Sequence, residues 1–102
     1  MTAKKNRRLV VEDAVTCTEI DLNDRVIRKT WKLMGFAHCR TYELDDHVTV
    51  QIKDTSTILE GYKITMFGVY LAGRGREIRM SSTGDIKEAH LIQSRITEFL
   101  TA

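Results

Sequence analysis

The sequence predicts an α+β fold, in which an antiparallel sheet of about 5–6 strands is covered by a C-terminal helix over residues 86–101. Two observations predict this class. Apolar and polar residues alternate with a period of two through most of the chain before Thr83, which is the pattern of strands with one buried face. From Ile86 onward the apolar residues recur every three or four positions, which is the spacing of an amphipathic helix.

The C-terminal half carries the clearest elements. Residues 62–72 alternate with two largely apolar faces, so they predict one long strand at the centre of a sheet. In the sequence Gly-Arg-Gly over residues 73–75, the two glycines tolerate positive φ, which predicts a short hairpin loop before an antiparallel strand over residues 76–81. Asp85 followed by Glu88 matches a capping box, so the helix is expected to begin there.

The N-terminal half is less regular. Residues 1–8 are polar and basic, which predicts a flexible tail, and residues 9–102 are expected to form a single globular domain. Asp45 and Asp46 suit a tight turn, so the segments on either side of them predict a hairpin. The strands predicted in this half are 9–11, 15–22 (an edge or outer strand), 36–44 and 47–53.

Residues 24–34 fit either a helix or a strand, and the helix is favoured. Asn23 or Asp24 would cap its N-terminus, and Gly35 stands where a left-handed residue ends a helix. The strand alternative places Lys29 on the apolar face. If the segment is extended, about seven strands precede one C-terminal helix, and this element order resembles the small capped barrel of pleckstrin-homology-type domains.

Length and composition limit the class of protein. A chain of 102 residues suits one domain, and 42% hydrophobic with 29% charged residues is the balance of a globular protein. Residues 1–8 lack the apolar core of a signal peptide, and no apolar run approaches the roughly 20 residues of a membrane span, so no membrane partner is expected. Cys17 and Cys39 support no disulfide framework. These features indicate a cytoplasmic protein with buried thiols.

No catalytic residue, cofactor-binding residue or metal ligand is assigned from the sequence. His38 and Cys39 are the first candidates for a base and a nucleophile, but neighbours on a strand point to opposite faces. His47 reaches Cys39 only across the predicted hairpin. The histidines and cysteines lack the paired spacing of zinc sites, and no glycine-rich nucleotide motif is present. The sequence therefore indicates a protein without enzymatic activity and without a cofactor.

Charge is distributed in blocks, although the net charge is only +2. Acidic residues between positions 12 and 24 are followed by a basic segment over residues 25–32, and residues 43–60 are again acidic. Such alternation suits a surface that selects a protein partner. The expected partner-binding residues are Arg25, Arg28, Lys29 and Lys32.

The sequence favours a small non-enzymatic protein-binding or regulatory module, which acts through this charge-patterned surface on another protein or on itself as a homodimer. The expected contact combines that surface with an exposed sheet face or strand edge. The alternative is a nucleic-acid-binding protein that uses the basic tail, the 25–32 segment and an arginine loop. Its expected anion or nucleic-acid contacts are Arg7, Arg8, Arg74 and Arg76.

Overall fold

A computed structural model of the chain describes residues 7–33 and 35–101, without the side chains of Leu33 and Phe36. Within these residues the chain forms nine strands and one helix. The strands are β1 (Arg8–Glu12), β2 (Thr16–Asp21), β3 (Val26–Leu33), β4 (Phe36–Glu43), β5 (Thr49–Asp54), β6 (Thr57–Leu59), β7 (Tyr62–Ile64), β8 (Phe67–Gly73) and β9 (Arg76–Thr83), and the helix is α1 (Ile86–Thr101). Most of the predicted tail lies outside the described residues, and Arg8 already belongs to β1.

The described strands form three antiparallel sheets. Sheet A has the order β1-β2-β3-β4, sheet B has the order β5-β8-β9, and β6 pairs with β7. The broad α+β class is confirmed, whereas the single sheet of about 5–6 strands is wrong. The hairpin predicted across Asp45 and Asp46 is also wrong, because β4 is the last strand of sheet A and β5 is an edge strand of sheet B.

The helix predicted over residues 24–34 is wrong, because Val26–Leu33 is the strand β3. Gly35 has a φ of 82° and belongs to the turn between β3 and β4. A glycine that suits a helix C-terminus thus serves a hairpin turn, which also requires positive φ. Lys29, which argued against a strand, is accommodated because its Nζ donates a hydrogen bond to the Arg79 carbonyl oxygen at 2.8 Å.

The extended alternative for this segment is therefore correct. Its other details differ, because nine described strands in three sheets precede the helix in place of about seven, and the described sheets do not close into a barrel. The single strand predicted over residues 62–72 is divided into β7 and β8, which are separated by Thr65 and Met66. As predicted, a central strand lies here, because β8 is the middle strand of sheet B.

Both larger sheets and the helix contribute to one hydrophobic core. The helix predicted over residues 86–101 is confirmed. Asp85 caps its N-terminus, because its Oδ1 accepts a hydrogen bond from the Lys87 N–H at 2.9 Å. In the described ranges, no helix has both the length and the apolar composition needed to cross a membrane. The buried apolar side chains include Ile20, Ile27, Val69, Leu71, Met80, Ala89 and Ile96.

Candidate interaction site

The hairpin of β6 and β7, here called the arm, leaves sheet B after β5 and returns to it at β8. Its two-residue turn, Glu60 and Gly61, has φ values of 51° and 82°, which is the geometry of a type I′ turn. Because side chains alternate along a strand, the arm has two faces. One face carries Ile58 and Lys63. The other, here called the apolar face, carries Thr57, Leu59, Tyr62 and Ile64.

Hydrogen bonds hold the base of the arm. The Thr55 N–H donates to the Met66 carbonyl oxygen at 2.9 Å, and the Met66 N–H donates to Ser56 Oγ at 3.0 Å. Asp54 Oδ1 accepts the Ser56 N–H at 2.9 Å, which turns the chain out of β5. The direction in which the arm leaves sheet B is therefore set by bonded backbone groups.

The apolar side chains of the arm are exposed. Tyr62 is 77% exposed, Ile58 74%, Leu59 61% and Ile64 41%. The arm thus holds four of the eight large hydrophobic side chains that are exposed in the described part of the chain. An isolated two-stranded hairpin is marginally stable in water, and burial of apolar surface is favourable by about 25 cal/mol per Å². These properties make the arm the candidate interaction site.

An open cavity lies at the base of the arm. Its volume is about 490 Å³, and it is lined by Asp54, Ser56, Thr57, Ile58 and Lys63. Ile58 and Lys63 are cross-strand neighbours on the face opposite Leu59. The arm therefore offers a partner an apolar face on one side and a mixed apolar and charged groove on the other.

The four residues that were predicted to bind a partner do not lie on one surface. Arg25 lies in the turn before β3, Arg28 and Lys32 share the outer face of sheet A, and Lys29 points to the core-facing side. Lys29 is 5% exposed, and its Nζ bonds to the Arg79 carbonyl oxygen. Burial, reinforced by the charge of Arg79, lowers the pKa of Lys29.

Arg28 is held by three carboxylates. Its Nη1 lies 2.8 Å from Glu19 Oε1 and 3.1 Å from Asp21 Oδ2, and its Nη2 lies 3.1 Å from Asp24 Oδ2. The hydrogen bond with Asp21, followed by those with Glu19 and Asp24, raises the pKa of Arg28. Arg8 reaches the same Asp21 carboxylate at 3.4 Å. The positive charge at these positions is therefore balanced within the chain.

The other basic residues near β1 and β3 have their own neighbours. Arg7 is exposed, and its carbonyl oxygen accepts the Leu22 N–H at 2.9 Å. Arg25 pairs with Asp46 at 3.0 Å. Among the four predicted partner-binding residues, Lys32 is exposed and forms no ion pair with any described residue.

The remaining two arginines lie at the β8–β9 connection, Arg74 in the turn and Arg76 at the start of β9. The Arg74 N–H donates to Asp45 Oδ2 at 3.1 Å, and the Arg76 guanidinium lies 5.5 Å from the centre of the Tyr42 ring. An open cavity of about 320 Å³ is lined by residues 43–47 and Arg74. Its lining holds the carboxylates of Glu43, Asp45 and Asp46 against the single guanidinium of Arg74, so this surface is polar with an excess of negative charge.

The thiols and imidazoles lie apart from the arm. Cys17 is half-buried and Cys39 is exposed, so the prediction that both are buried is wrong. His38 lies on the face of β4 opposite Cys39, as expected for strand neighbours, and His47 follows in the loop before β5. The residues that the structure describes contain no group of three or more side chains able to hold a metal ion.

The sequence prediction missed the arm, although a local signal was present. No strand was predicted between residues 53 and 62, and Tyr62 was assigned to the long central strand. Gly61, between two short β-prone runs, supplies one of the two positive-φ residues that a two-residue hairpin needs. The exposure of the side chains could not be read from that pattern, because it depends on what the rest of the fold leaves uncovered.

Comparison with known protein families, with curated proteins and with solved structures found no match to this chain. The candidate site therefore rests on the geometry of the chain itself.

Proposed function

We propose that this chain is a non-enzymatic protein-binding module that contacts its partner through the apolar face of the arm. The observation that carries the proposal is the exposure of Leu59 (61%) and Tyr62 (77%), which face each other across the arm. Single exposed apolar side chains are ordinary on protein surfaces, whereas clustered ones mark interaction sites. Tyrosine is also enriched among the residues that contribute most to binding.

The chemistry of the arm favours a protein partner over a lipid bilayer or a nucleic acid. Glu60 lies at the tip, where it would carry a carboxylate deepest into a bilayer at high cost. Lys63 is the cation of the arm, and one cation neutralises too little phosphate for tight nucleic-acid binding. A protein partner with an apolar groove that receives the apolar face fits best.

We expect the charged outer face of sheet A to contribute less to partner binding than the arm does. Arg28 would have to leave three carboxylates before it could contact a partner, which lowers its value for binding. Lys32 is available at the rim of a contact. The nucleic-acid alternative has less support for the same reason, since Arg8 and Arg28 already share Asp21.

The experiment is site-specific photo-crosslinking with the full chain in cells that express it. The photoreactive amino acid p-benzoylphenylalanine replaces Tyr62 in one variant and Leu91 in the control, because Leu91 is 67% exposed on α1. We expect one discrete cross-linked polypeptide from position 62 that is absent from position 91. Adding Leu59→Ser to the first variant should remove the product while leaving the melting temperature unchanged.

Two results contradict the proposal. One is the absence of a discrete product at position 62. The other is the same set of products at positions 62 and 91, which would indicate unspecific contact of exposed apolar side chains.

A further inference from the structure

The core-facing side of sheet A changes from apolar to polar along its strands. Side chains on this side are aligned in rows by the register of the sheet, and the row that contains Ile20 and Ile27 is buried in the core. The next two rows toward the β3–β4 turn contain polar side chains, and no aspartate or glutamate occupies a core-facing position of the described strands β1 to β4. These two rows are Val11, Thr18, Lys29 and Arg40, and Thr16, Trp31 and His38.

Three cationic residues are neighbours on this side. Arg40 is the direct cross-strand partner of Lys29, so the two side chains lie next to each other on the same face. The Lys29 Nζ donates to the carbonyl oxygen of Arg79 at 2.8 Å, which places Arg79 of β9 beside it. None of the three forms an ion pair with a described residue. Neighbouring like charges repel one another, so an anion bound between them is favourable.

Asp13 balances only part of this positive charge. Its carboxylate acts on Lys29, and the charge of Arg79 acts on it in turn. However, Asp13 Oδ1 accepts the N–H groups of Val15 and Thr16 and the Thr16 hydroxyl at 2.8 to 3.0 Å, so it is held in the β1–β2 turn. One carboxylate stands against three cationic groups, and two positive charges are left when all three are protonated.

Two buried polar atoms of this region have no hydrogen-bond partner among the described residues. They are Thr18 Oγ1 and Arg79 Nε. Thr18 is 0% exposed and lies directly opposite Lys29, on the side away from Arg40. Buried donors without a partner are rare in native proteins and need an explanation. A hydroxyl, an ammonium and two guanidinium groups are all donors, which is the chemistry that binds an anion.

The region is accessible from the side of β4. Arg40 and His38 are exposed, whereas Trp31 and Arg79 are half-buried. The Trp31 ring is held in place, because its centre lies 5.8 Å from that of His38 and 5.1 Å from Lys29 Nζ. A small ligand can therefore approach the two guanidinium groups without opening the core.

We propose that Arg40 and Arg79 bind a small divalent oxyanion on the core-facing side of sheet A, beside Lys29. Two negative charges match the positive charge that Asp13 leaves, and the planar guanidinium groups present paired N–H donors to oxygen atoms. A phosphate group and a dicarboxylate share this chemistry. The site is separate from the arm and goes beyond the proposed function.

Titration of the full chain, followed by NMR, tests the proposal at pH 7 in about 150 mM sodium chloride, which screens unspecific attraction between exposed charges. The probes are inorganic phosphate, succinate and acetate. We expect the Nε–H signals of Arg40 and Arg79 to shift and to saturate with a dissociation constant below about 1 mM. Phosphate, succinate or both should act in this way, and the one that binds identifies the source of the oxyanion. Acetate, which carries one charge, should not saturate the site.

Arg40→Gln should raise that dissociation constant about tenfold, because it removes one of the two guanidinium groups. Lys32→Gln is the matched control, since it removes an exposed cation from the opposite face of sheet A and should leave binding unchanged. Both side chains are exposed, so the melting temperatures should stay close to that of the wild type.

Three results overturn the proposal. The first is that neither phosphate nor succinate saturates the signals below about 10 mM. The second is an equal loss of affinity in Arg40→Gln and Lys32→Gln, which would indicate unspecific charge attraction. The third is saturation by acetate at the same concentration as the divalent ions, which would show that the second charge is not recognised.

Discussion

The Nζ of Lys29 donates a 2.8 Å hydrogen bond to the carbonyl oxygen of Arg79, 50 positions further along the chain. Lys29 belongs to β3 of sheet A and Arg79 to β9 of sheet B, so this bond joins the two sheets. Lys29 also lies 5.1 Å from the centre of the Trp31 ring. A lysine in a segment that looks like a binding surface thus has a role in holding the fold together.

Replacing Lys29 should lower stability, whereas replacing Lys32 should not. Lys29→Ala removes a hydrogen bond from a charged donor and leaves the Arg79 carbonyl oxygen without it, at a cost of about 2 kcal/mol. Lys32→Ala removes an exposed side chain, with an effect within about 0.5 kcal/mol. Urea unfolding of both variants measures the difference. Equal effects would mean that the bond between the sheets does not contribute.

Stability should fall in acid, in part through Asp21. The Asp24 N–H bond to the Asp21 carboxylate, together with the bonds from Arg28 and Asn23, outweighs burial and lowers the pKa of Asp21. A carboxyl with a lower pKa in the folded state stabilises the fold above its unfolded pKa of about 3.9, and this contribution is lost as the pH falls through the folded value.

Asp21→Asn should therefore make the dependence of the unfolding free energy on pH less steep between about pH 5 and pH 2. Asp46→Asn is the matched control, because the Asp46 side chain is 90% exposed and pairs with Arg25 at the surface. The measurement is urea unfolding across this range. An unchanged slope in Asp21→Asn would contradict the assignment.

The turn of the arm should depend on Gly61. A Cβ at position 61 would meet no atom within 4 Å, so the cost of Gly61→Ala comes from the φ of 82° and amounts to about 1 kcal/mol. Asn tolerates this backbone region, so Gly61→Asn is the conservative control. Amide exchange should speed up in β6 and β7 and stay unchanged in β8. Faster exchange throughout sheet B would show that the arm is part of the cooperative core.

The two thiols should react at different rates. Burial, followed by the charge of Glu12, raises the pKa of Cys17, and its Sγ lies 3.7 Å from Glu12 Oε1. Cys39 is exposed on β4. Because the thiolate is the reactive form, Cys39 should be labelled several-fold faster than Cys17 by a disulfide reagent near neutral pH. Kinetics of the Cys17→Ser and Cys39→Ser variants separate the two rates, and equal rates would contradict the difference in environment.

Elements that depend only on residues near one another in the chain were predictable from the sequence. The helix over residues 86–101, its cap at Asp85 and the hairpin at residues 73–75 follow from spacing and turn chemistry within a few positions. Residues 24–34 were not, because their possible caps favoured a helix, whereas Gly35 serves a hairpin turn as readily as a helix C-terminus. Pairing with β2 and β4 decides between them, and those partners lie outside the segment.

The candidate site was also predictable from the sequence only in part. The turn at Glu60 and Gly61 is encoded locally, but the exposure of Leu59 and Tyr62 depends on where sheet B ends. The basic residues near Arg28 were visible in the sequence. The ion pairs that neutralise them were not visible, because Arg28 and the carboxylates of Glu19 and Asp21 meet only when β2 pairs with β3.

The sequence by itself therefore determined the broad α+β class, the C-terminal helix and the alternation that decides which side chains share a strand face. Only the tertiary structure decided which strands share a sheet, which faces stay open to solvent and which charges are already paired. The physical reason is that periodicity and turn propensity act over a few residues, whereas burial and ion pairing depend on partners such as Lys29 and Arg79, which the chain brings together only when it folds.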